Sequence, residues 1–237
     1  MDGGTGNGSV SINSTTESYS NRGSDTYTLL GGSDNNNYTI DSNTYSSSRS
    51  GDTYTLGGGI GNGNVSINST TQWSNRGGDT YTILAGDGSG TDVINLTNTT
   101  SGDRSADSYQ VTAGAGDDQL TVTSTWNSNS ALIGDSYSLS TGDGNDNIAI
   151  NANNASDSFI VSGGAGIDRY VLASSNVGTI TITDFAAGNG GDVIDVLQLI
   201  LGTPSFTGGN PFDPAQGYLR LQQNGADTWL QCGVMKI

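Results

Sequence analysis

The chain has very few of the residues that most enzymes and nucleic-acid-binding proteins use. Its 237 residues include no histidine and a single cysteine, Cys232. An internal disulfide is therefore excluded. Ser-His and Cys-His nucleophilic schemes are excluded as well, because no imidazole is present and Cys232 lies at a terminus. Only seven Lys plus Arg stand against 23 Asp plus Glu, for a net charge of −16, which argues against nucleic acid as a partner.

Long apolar runs are lacking too. No stretch has the length of a transmembrane helix, so we expect no membrane insertion. The first residues do not read as a signal peptide with a basic n-region; we expect export by another signal, or an excised segment. The scarcity of cysteine suits a secreted bacterial protein.

Glycine and small polar residues are abundant instead. With 37 glycines and 32% hydrophobic residues, the composition indicates a thin, repetitive structure without a thick core. Disorder is the alternative for such an acidic, polar chain, but the apolar residues keep a strict register. Glu17 is the only glutamate, and short aspartates suit tight turns and hard metals. A divalent cation is the natural counterion.

An Asp-Thr-Tyr tripeptide recurs along the chain and then loosens to Asp-Ser-Tyr and Asp-Ser-Phe. The first three copies are 27 residues apart. A period of this length predicts stacked coils, with the aspartates of successive coils ~4.8 Å apart. The six copies begin at Asp25, Asp52, Asp79, Asp107, Asp135 and Asp157.

Short apolar-polar-apolar segments mark the strands of these coils, because that alternation is typical of a half-buried strand. They predict an all-β fold, a parallel β-roll or β-solenoid with two strands per coil, over residues 1–175. Helix signals are lacking before Val193, and the stretches 13–16 and 68–71 are expected to be loops. The apolar pairs are Val10/Ile12, Tyr27/Leu29, Tyr38/Ile40, Tyr54/Leu56, Val65/Ile67, Tyr81/Ile83, Ile94/Leu96, Tyr109/Val111, Leu120/Val122, Tyr137/Leu139, Ile148/Ile150, Phe159/Val161, Tyr170/Leu172 and Ile180/Ile182.

The segment 163–170, Gly-Gly-Ala-Gly-Ile-Asp-Arg-Tyr, resembles the glycine-rich nonapeptide of RTX proteins, G-G-x-G-x-D-x-U-x with U a large apolar residue. Segments 113–120 and 141–148 match from the second glycine onward. The resemblance implies Ca²⁺ between successive turns, held by inward-pointing carbonyls and the sixth-position aspartate. The implied metal-binding residues are Gly114, Gly116, Asp118, Gly142, Gly144, Asp146, Gly164, Gly166 and Asp168.

Other aspartates extend this set of candidate ligands. Asp92 ends an expanded glycine-rich turn, and Asp192 ends the last one. Further upstream the sixth position is Gly8, Asn36 or Gly63, which departs from the RTX pattern.

A column of arginines accompanies the tripeptides. Arg22, Arg49, Arg76 and Arg104 each precede a tripeptide aspartate by three residues. Because aspartates stacked one per coil repel each other, we expect each guanidinium to bridge two carboxylates in place of Ca²⁺; the alternative is that these arginines are solvated loop residues. Asp135 and Asp157 have Leu132 and Asn154 at that offset, so we expect metal or solvent there.

Residues 176–237 are expected to form a separate capping segment. The stretch Thr179 to Leu201 resembles the segment after the repeats in proteins exported by type I secretion, where an Asp-Phe strand, a last Gly/Asp turn and a short apolar helix close the roll. The stretch from Asn210 to Gln231 is similar to the terminal domain of that family. It predicts a hairpin with an Asn-Gly turn that covers the last coil.

The function favoured by these features is that of a non-catalytic, calcium-binding structural segment of a bacterial adhesin, extracellular or at the cell surface. An enzyme is not expected, since Arg and Asp recur on every coil whereas a catalytic site is unique. The alternatives are a self-assembling surface fibre subunit, an ice-binding solenoid and a Ca²⁺-dependent polysaccharide lyase. The expected partners are calcium ions, with copies of the chain docked end to end or surface carbohydrate as further candidates.

Two surface features underlie these alternatives. Outward Thr-x-Thr pairs at 26/28, 53/55 and 80/82 resemble the face of ice-binding solenoids, although threonine also simply favours strands. Tyr19, Tyr45, Trp73 and Trp126 recur in the loops and suit either sugar stacking or packing.

Overall fold

The computed structural model describes residues 8–17, 21–32, 35–45, 48–57, 59, 61–72, 75–102, 104–127, 133–174, 178–201, 206, 208–214 and 218–232. It is nearly all-β: parallel strands stack as a solenoid, and a small antiparallel hairpin lies at the C-terminal end. The expected fold class is therefore confirmed. The expected boundary at 175/176 falls within 175–177, outside the described residues.

Two parallel sheets form the walls of the solenoid, and successive strands of the chain alternate between them. The first sheet has eight strands in the order β1-β4-β7-β10-β12-β14-β16-β18, and the second has seven in the order β17-β15-β13-β11-β9-β6-β3. The first contains β1 (Gly8–Thr16), β4 (Asn36–Tyr45), β7 (Gly63–Gln72), β10 (Val93–Ser101), β12 (Gln119–Trp126), β14 (Asn147–Ala152), β16 (Arg169–Leu172) and β18 (Val193–Asp195). The second contains β3 (Thr26–Leu30), β6 (Thr53–Gly57), β9 (Thr80–Leu84), β11 (Ser108–Ala115), β13 (Ser136–Asp143), β15 (Ser158–Ala165) and β17 (Thr179–Ile182).

The register of the second sheet follows the tripeptide repeat. Tyr27 lies opposite Tyr54, and Tyr54 opposite Tyr81. The column of rings continues through Tyr109 and Tyr137 and ends at Phe159. Adjacent rings stack with centroids 4.5–5.1 Å apart. This aromatic column packs against the Ile, Val and Leu side chains of the first sheet, so each coil buries its apolar residues against its neighbours.

Two expected loops are strand instead. Residues 13–16 extend β1, and residues 68–71 lie within β7. Their alternate Ser and Thr side chains are buried, as are those of the equivalent positions in β4. Ser42, for example, donates to Asp79 of the next coil, and Thr44 accepts a hydrogen bond from Arg49. Polarity alone therefore does not distinguish these strand residues from a loop.

A third, very small sheet runs beside the first three coils. It consists of β2 (Asn21–Arg22), β5 (Ser48–Arg49) and β8 (Asn75–Arg76), and a single bridge carries it on to Arg104. The early coils therefore contain a third two-residue strand in addition to the two predicted. This strand fixes the arginine backbone in register from coil to coil.

The C-terminal part contains a short helix and the expected antiparallel hairpin. After β18 comes a single short helix, α1 (Leu197–Leu201), followed by the hairpin of β19 (Leu219–Asn224) and β20 (Asp227–Cys232). The two residues of the hairpin turn are Gly225 and Ala226, so Asn224 precedes the turn. Leu199 and Ile200 of α1 pack with Leu219 in a second apolar cluster. Among the described residues, no helix has the length and hydropathy of a membrane span.

The outer faces of both sheets are mainly polar. Thr26, Thr53 and Thr80 are paired in register and exposed, as the Thr-x-Thr pattern predicted. Of the recurring aromatic residues, Tyr45 and Trp126 lie at the ends of β4 and β12. Tyr19 and Trp73 lie outside the described residues.

Candidate functional site

The aspartates lie in two columns on opposite edges of the roll. We call the edge where the chain passes from the first sheet to the second the arginine edge. Its aspartates are Asp25, Asp52, Asp79, Asp107, Asp135 and Asp157. We call the return edge, from the second sheet to the first, the glycine edge; its aspartates are Asp92, Asp118, Asp146, Asp168 and Asp192.

Both columns use the same backbone contact to hold each carboxylate. The Oδ1 atom of an aspartate accepts the amide N–H of the aspartate one coil earlier. On the arginine edge the amide of Asp79 donates to Asp107 at 2.7 Å, and on the glycine edge that of Asp118 donates to Asp146 at 2.8 Å. The contact recurs along both columns.

On the arginine edge each guanidinium bridges two carboxylates. Arg49 binds Asp52 of its own coil through Nη1 and Asp79 of the next coil through Nη2, the second at 2.8 Å. Arg76 binds Asp79 and Asp107 in the same way. Arg22 and Arg104 continue the pattern at the two ends of the ladder. The expected arginine bridges are present, and the alternative of solvated arginines is wrong.

These ion pairs are removed from water. The side chains of Arg49, Arg76, Asp79 and Asp107 are all 0% exposed. Burial alone would lower the pKa of the Arg76 guanidinium, but Asp107 and Asp79 raise this pKa well above its usual value. Arg76 therefore stays charged and supplies the positive charge between Asp79 and Asp107.

Hydroxyls from the first sheet accept hydrogen bonds from the Nε atoms of Arg22, Arg49 and Arg104, whereas the Nε of Arg76 has no partner among the described residues. Arg49 donates from Nε to Thr44 at 3.0 Å and from Nη2 to Ser42 at 3.1 Å. Arg104 donates from Nε to Thr100 at 2.8 Å. Sequence reasoning missed these residues. Their signal was the recurrence of Ser14/Thr16, Ser42/Thr44, Ser69/Thr71 and Asn98/Thr100 at the coil period.

Asp135 belongs to this ladder, which corrects the expectation that it needs metal or solvent. Arg104 of the preceding coil binds both of its carboxylate oxygens, and Asn98 donates to Oδ2. The expectation failed because it considered only the arginine three residues upstream. Leu132 at that offset lies outside the described residues.

Asp157 is the last member of the arginine edge. Its Oδ2 accepts a hydrogen bond from Ser124 at 2.6 Å, and its Oδ1 accepts the amide of Asp135 at 2.9 Å. Burial raises the pKa of Asp157 despite these two hydrogen bonds. Among the described residues it has no arginine partner, so its need for metal or solvent stays a prediction.

The glycine edge has no arginine ladder. Asp118, Asp146 and Asp168 are each 1% exposed, yet their Oδ2 atoms have no hydrogen-bond partner among the described residues. Arg169, which follows Asp168 in the sequence, is 58% exposed and pairs with Asp195. A buried ionised carboxylate without a partner is strongly disfavoured, so these oxygens mark places that require a cation or a proton.

The pKa values of this column reflect the missing counter-charge. Burial, with the charges of Asp92, Asp146 and Asp117, raises the pKa of Asp118 to about 7, against the opposing hydrogen bond from the Asp92 amide. Burial likewise raises the pKa of Asp92, Asp146 and Asp168.

The turns beside these aspartates can be formed only with glycine. Gly142 and Gly144 have φ values of +105° and +148°, in the region that favours glycine. A Cβ at Gly142 would clash with the carbonyl oxygen of Gly114, and one at Gly144 with that of Gly116. The predicted glycines at 114, 116, 164 and 166 also have positive φ values. The carbonyl oxygens of these glycines in one turn therefore lie against the glycines of the next turn.

The two ends of the glycine edge differ from its centre. Upstream, Gly63 continues the column without a carboxylate, and its amide donates to Oδ1 of Asp92. Downstream, both oxygens of Asp192 are occupied, Oδ1 by the Asp168 amide at 2.9 Å and Oδ2 by the Ala186 amide at 2.7 Å. The unpartnered oxygens therefore belong to the three nonapeptide-like turns.

The residues present fit a hard cation at the glycine edge. Within the described ranges no group of three or more His, Cys, Asp or Glu side chains is arranged as a metal cage, so backbone carbonyls would have to supply part of the ligand set. Comparisons with family models, curated proteins and solved structures found no match for this chain.

Proposed function

We propose that this chain is a calcium-binding β-roll of the RTX type that serves as a non-catalytic structural segment of an extracellular or cell-surface bacterial protein, such as an adhesin exported by type I secretion. The observation that carries the proposal is the set of three buried, unpartnered Oδ2 atoms on the glycine edge, at Asp118, Asp146 and Asp168. Each follows a glycine turn whose carbonyls are stacked nearby.

Calcium would supply the positive charge that arginine supplies on the opposite edge. Oxygen ligands in a flexible arrangement suit Ca²⁺ better than Mg²⁺, which demands a near-octahedral shell. The candidate ligands are the carboxylates of Asp118, Asp146 and Asp168, with the glycine carbonyls of the adjoining turns. An ion bound only by the folded roll stabilises it by ~2.7 kcal/mol per site at a hundredfold excess over Kd.

A structural role fits the distribution of charged residues better than catalysis does. The Arg and Asp positions repeat along the roll, and Arg49, Arg76 and Arg104 are buried. A lyase would need an exposed base beside a unique binding cleft. An extracellular location fits because calcium there would fold the glycine edge after export.

Thermal unfolding with a matched pair of variants tests the proposal. The wild-type melting temperature should rise in excess Ca²⁺ over EGTA, and Mg²⁺ should have a much smaller effect. Asp146→Asn should lose much of this calcium-dependent rise, because it removes one carboxylate from the centre of the glycine edge.

Asp79→Asn is the control on the arginine edge. It should lower the melting temperature by the same amount in Ca²⁺ and in EGTA, since Asp79 pairs with Arg49 and Arg76. Equal wild-type melting temperatures in Ca²⁺, Mg²⁺ and EGTA would contradict the proposal.

A further inference from the structure

The last turn of the glycine edge is closed differently from the turns before it. In an earlier coil the amides of Ala85 and Gly86, which are equivalent in register to Gly163 and Gly164, donate to the carbonyls of Thr112 and Ala113 at 2.9 and 3.1 Å. That turn is closed by neutral carbonyls of the following coil. The turn 163–168 is followed only by the loop between β17 and β18.

In the last turn the carboxylate of Asp184, a residue of this loop, accepts the amides of Gly163 and Gly164 in place of those carbonyls. Its Oδ2 accepts the amide of Gly164 at 2.8 Å and the hydroxyl of Ser162 at 2.6 Å. Its Oδ1 accepts the amide of Gly163 at 3.2 Å and the hydroxyl of Tyr170 at 3.4 Å. The strand register, Val161 opposite Ile182, places Asp184 one coil beyond Gly163. The equivalent residues in earlier coils are the uncharged Thr141 and Ala113.

This arrangement puts a third carboxylate next to the last pair of the column. Asp168 has the unpartnered Oδ2 and is 1% exposed, and its amide donates to Asp192. The charges of Asp146, Asp192 and Asp184 all add to the effect of burial in raising the pKa of Asp168. Arg169 does not compensate them, because it pairs with Asp195 on the outer face.

We propose that the end of the glycine edge is a distinct cation site of higher affinity than the interior sites, with Asp168 as the ligand and Asp184 as the residue that positions its turn and adds the extra negative charge. The proposal rests on the proposed calcium function and refines it. Because an additional nearby negative charge attracts a cation more strongly, the site fills first as calcium increases. Its occupation orders the last turn before the interior ones bind.

Calorimetric titration of the full chain with Ca²⁺ tests the assignment. The wild type should show a tight class of sites followed by a weaker one. Asp184→Asn should weaken the tight class by at least about tenfold, and Asp184→Glu, which keeps the charge, should restore most of it. Ser162→Ala removes one donor to Asp184 without changing the charge, and should weaken the tight class by about fivefold. Asp227→Asn, an equal charge loss in the hairpin, should leave the isotherm unchanged.

The melting temperature separates this role from a purely structural one. Asp184→Asn should reduce the rise in melting temperature that Ca²⁺ produces. If Asp184→Asn lowers the melting temperature equally with and without Ca²⁺, and the tight class of sites stays intact in Asp184→Asn and Ser162→Ala, this inference is overturned while the proposed function stands. A wild-type chain that binds no Ca²⁺ would instead contradict the proposed function.

Discussion

Replacing Arg76 by methionine tests how much the arginine ladder contributes to stability. Arg76 is fully buried between Asp79 and Asp107, and it binds both. Methionine keeps the apolar stem but leaves two buried carboxylates ~4.8 Å apart, which repel by ~3 kcal/mol at an effective dielectric constant near 20. Removing one partner of a buried ion pair typically costs ~3–5 kcal/mol.

The remaining arginines limit this loss. Arg49 still binds Asp79, and Arg104 still lies 3.3 Å from Asp107. We therefore expect the lower end of the range, ~3 kcal/mol, which corresponds to a decrease in melting temperature of ~6–12 °C for a chain of this length.

Circular dichroism melts in excess Ca²⁺ and in EGTA measure this effect. The decrease should be the same in both, because the partners of Arg76 are Asp79 and Asp107 and neither is a proposed calcium ligand. Arg220→Met is the control: Arg220 is exposed and bonds to Gln231 and Gln222, so its loss should change stability by less than ~0.5 kcal/mol. An unchanged melting temperature for Arg76→Met would refute the bridging role.

Two further predictions concern buried groups. Tyr81→Phe should lower the free energy of unfolding by ~1 kcal/mol, because the Tyr81 hydroxyl donates to Asp79 at 3.2 Å. Tyr109→Phe should leave the free energy of unfolding nearly unchanged, because the Tyr109 hydroxyl has no partner among the described residues. Urea unfolding of both variants measures the difference. In the folded chain the pKa of Asp118 is raised from 3.8 to about 7, so the folded state binds a proton more tightly than the unfolded state does. The calcium-free chain should therefore lose stability as pH rises from about 4 to about 7 and this proton is released. Melts across this range should show the loss; Asp118→Asn or Ca²⁺ should reduce it, and an unchanged slope in Asp118→Asn would contradict the assignment.

Much of the fold could be predicted because the sequence repeats at the coil period. A residue such as Tyr54 has its neighbours one period away on either side, so pattern and register coincide. The inward hydroxyls such as Ser42 could not be assigned by polarity alone. Ser42 can be buried because Arg49 of the same coil donates to its hydroxyl, which in turn donates to Asp79.

The glycine edge shows the same limit. The nonapeptide pattern identified Asp118, Asp146 and Asp168 as candidate ligands, and the structure places all three in one buried column. The nonapeptide pattern gave no signal for Asp184, because that residue lies outside any glycine-rich unit. Its position follows only from the register of β15 and β17.

Hydrogen exchange of the full chain with and without EGTA tests the central claim that two different counter-charges hold the two columns. The amides of the arginine edge, from Arg22 to Arg104, should stay protected when calcium is removed. Those of the glycine turns around Asp118, Asp146 and Asp168 should lose protection first. Uniform protection of both edges in EGTA, or their simultaneous loss, would contradict the account.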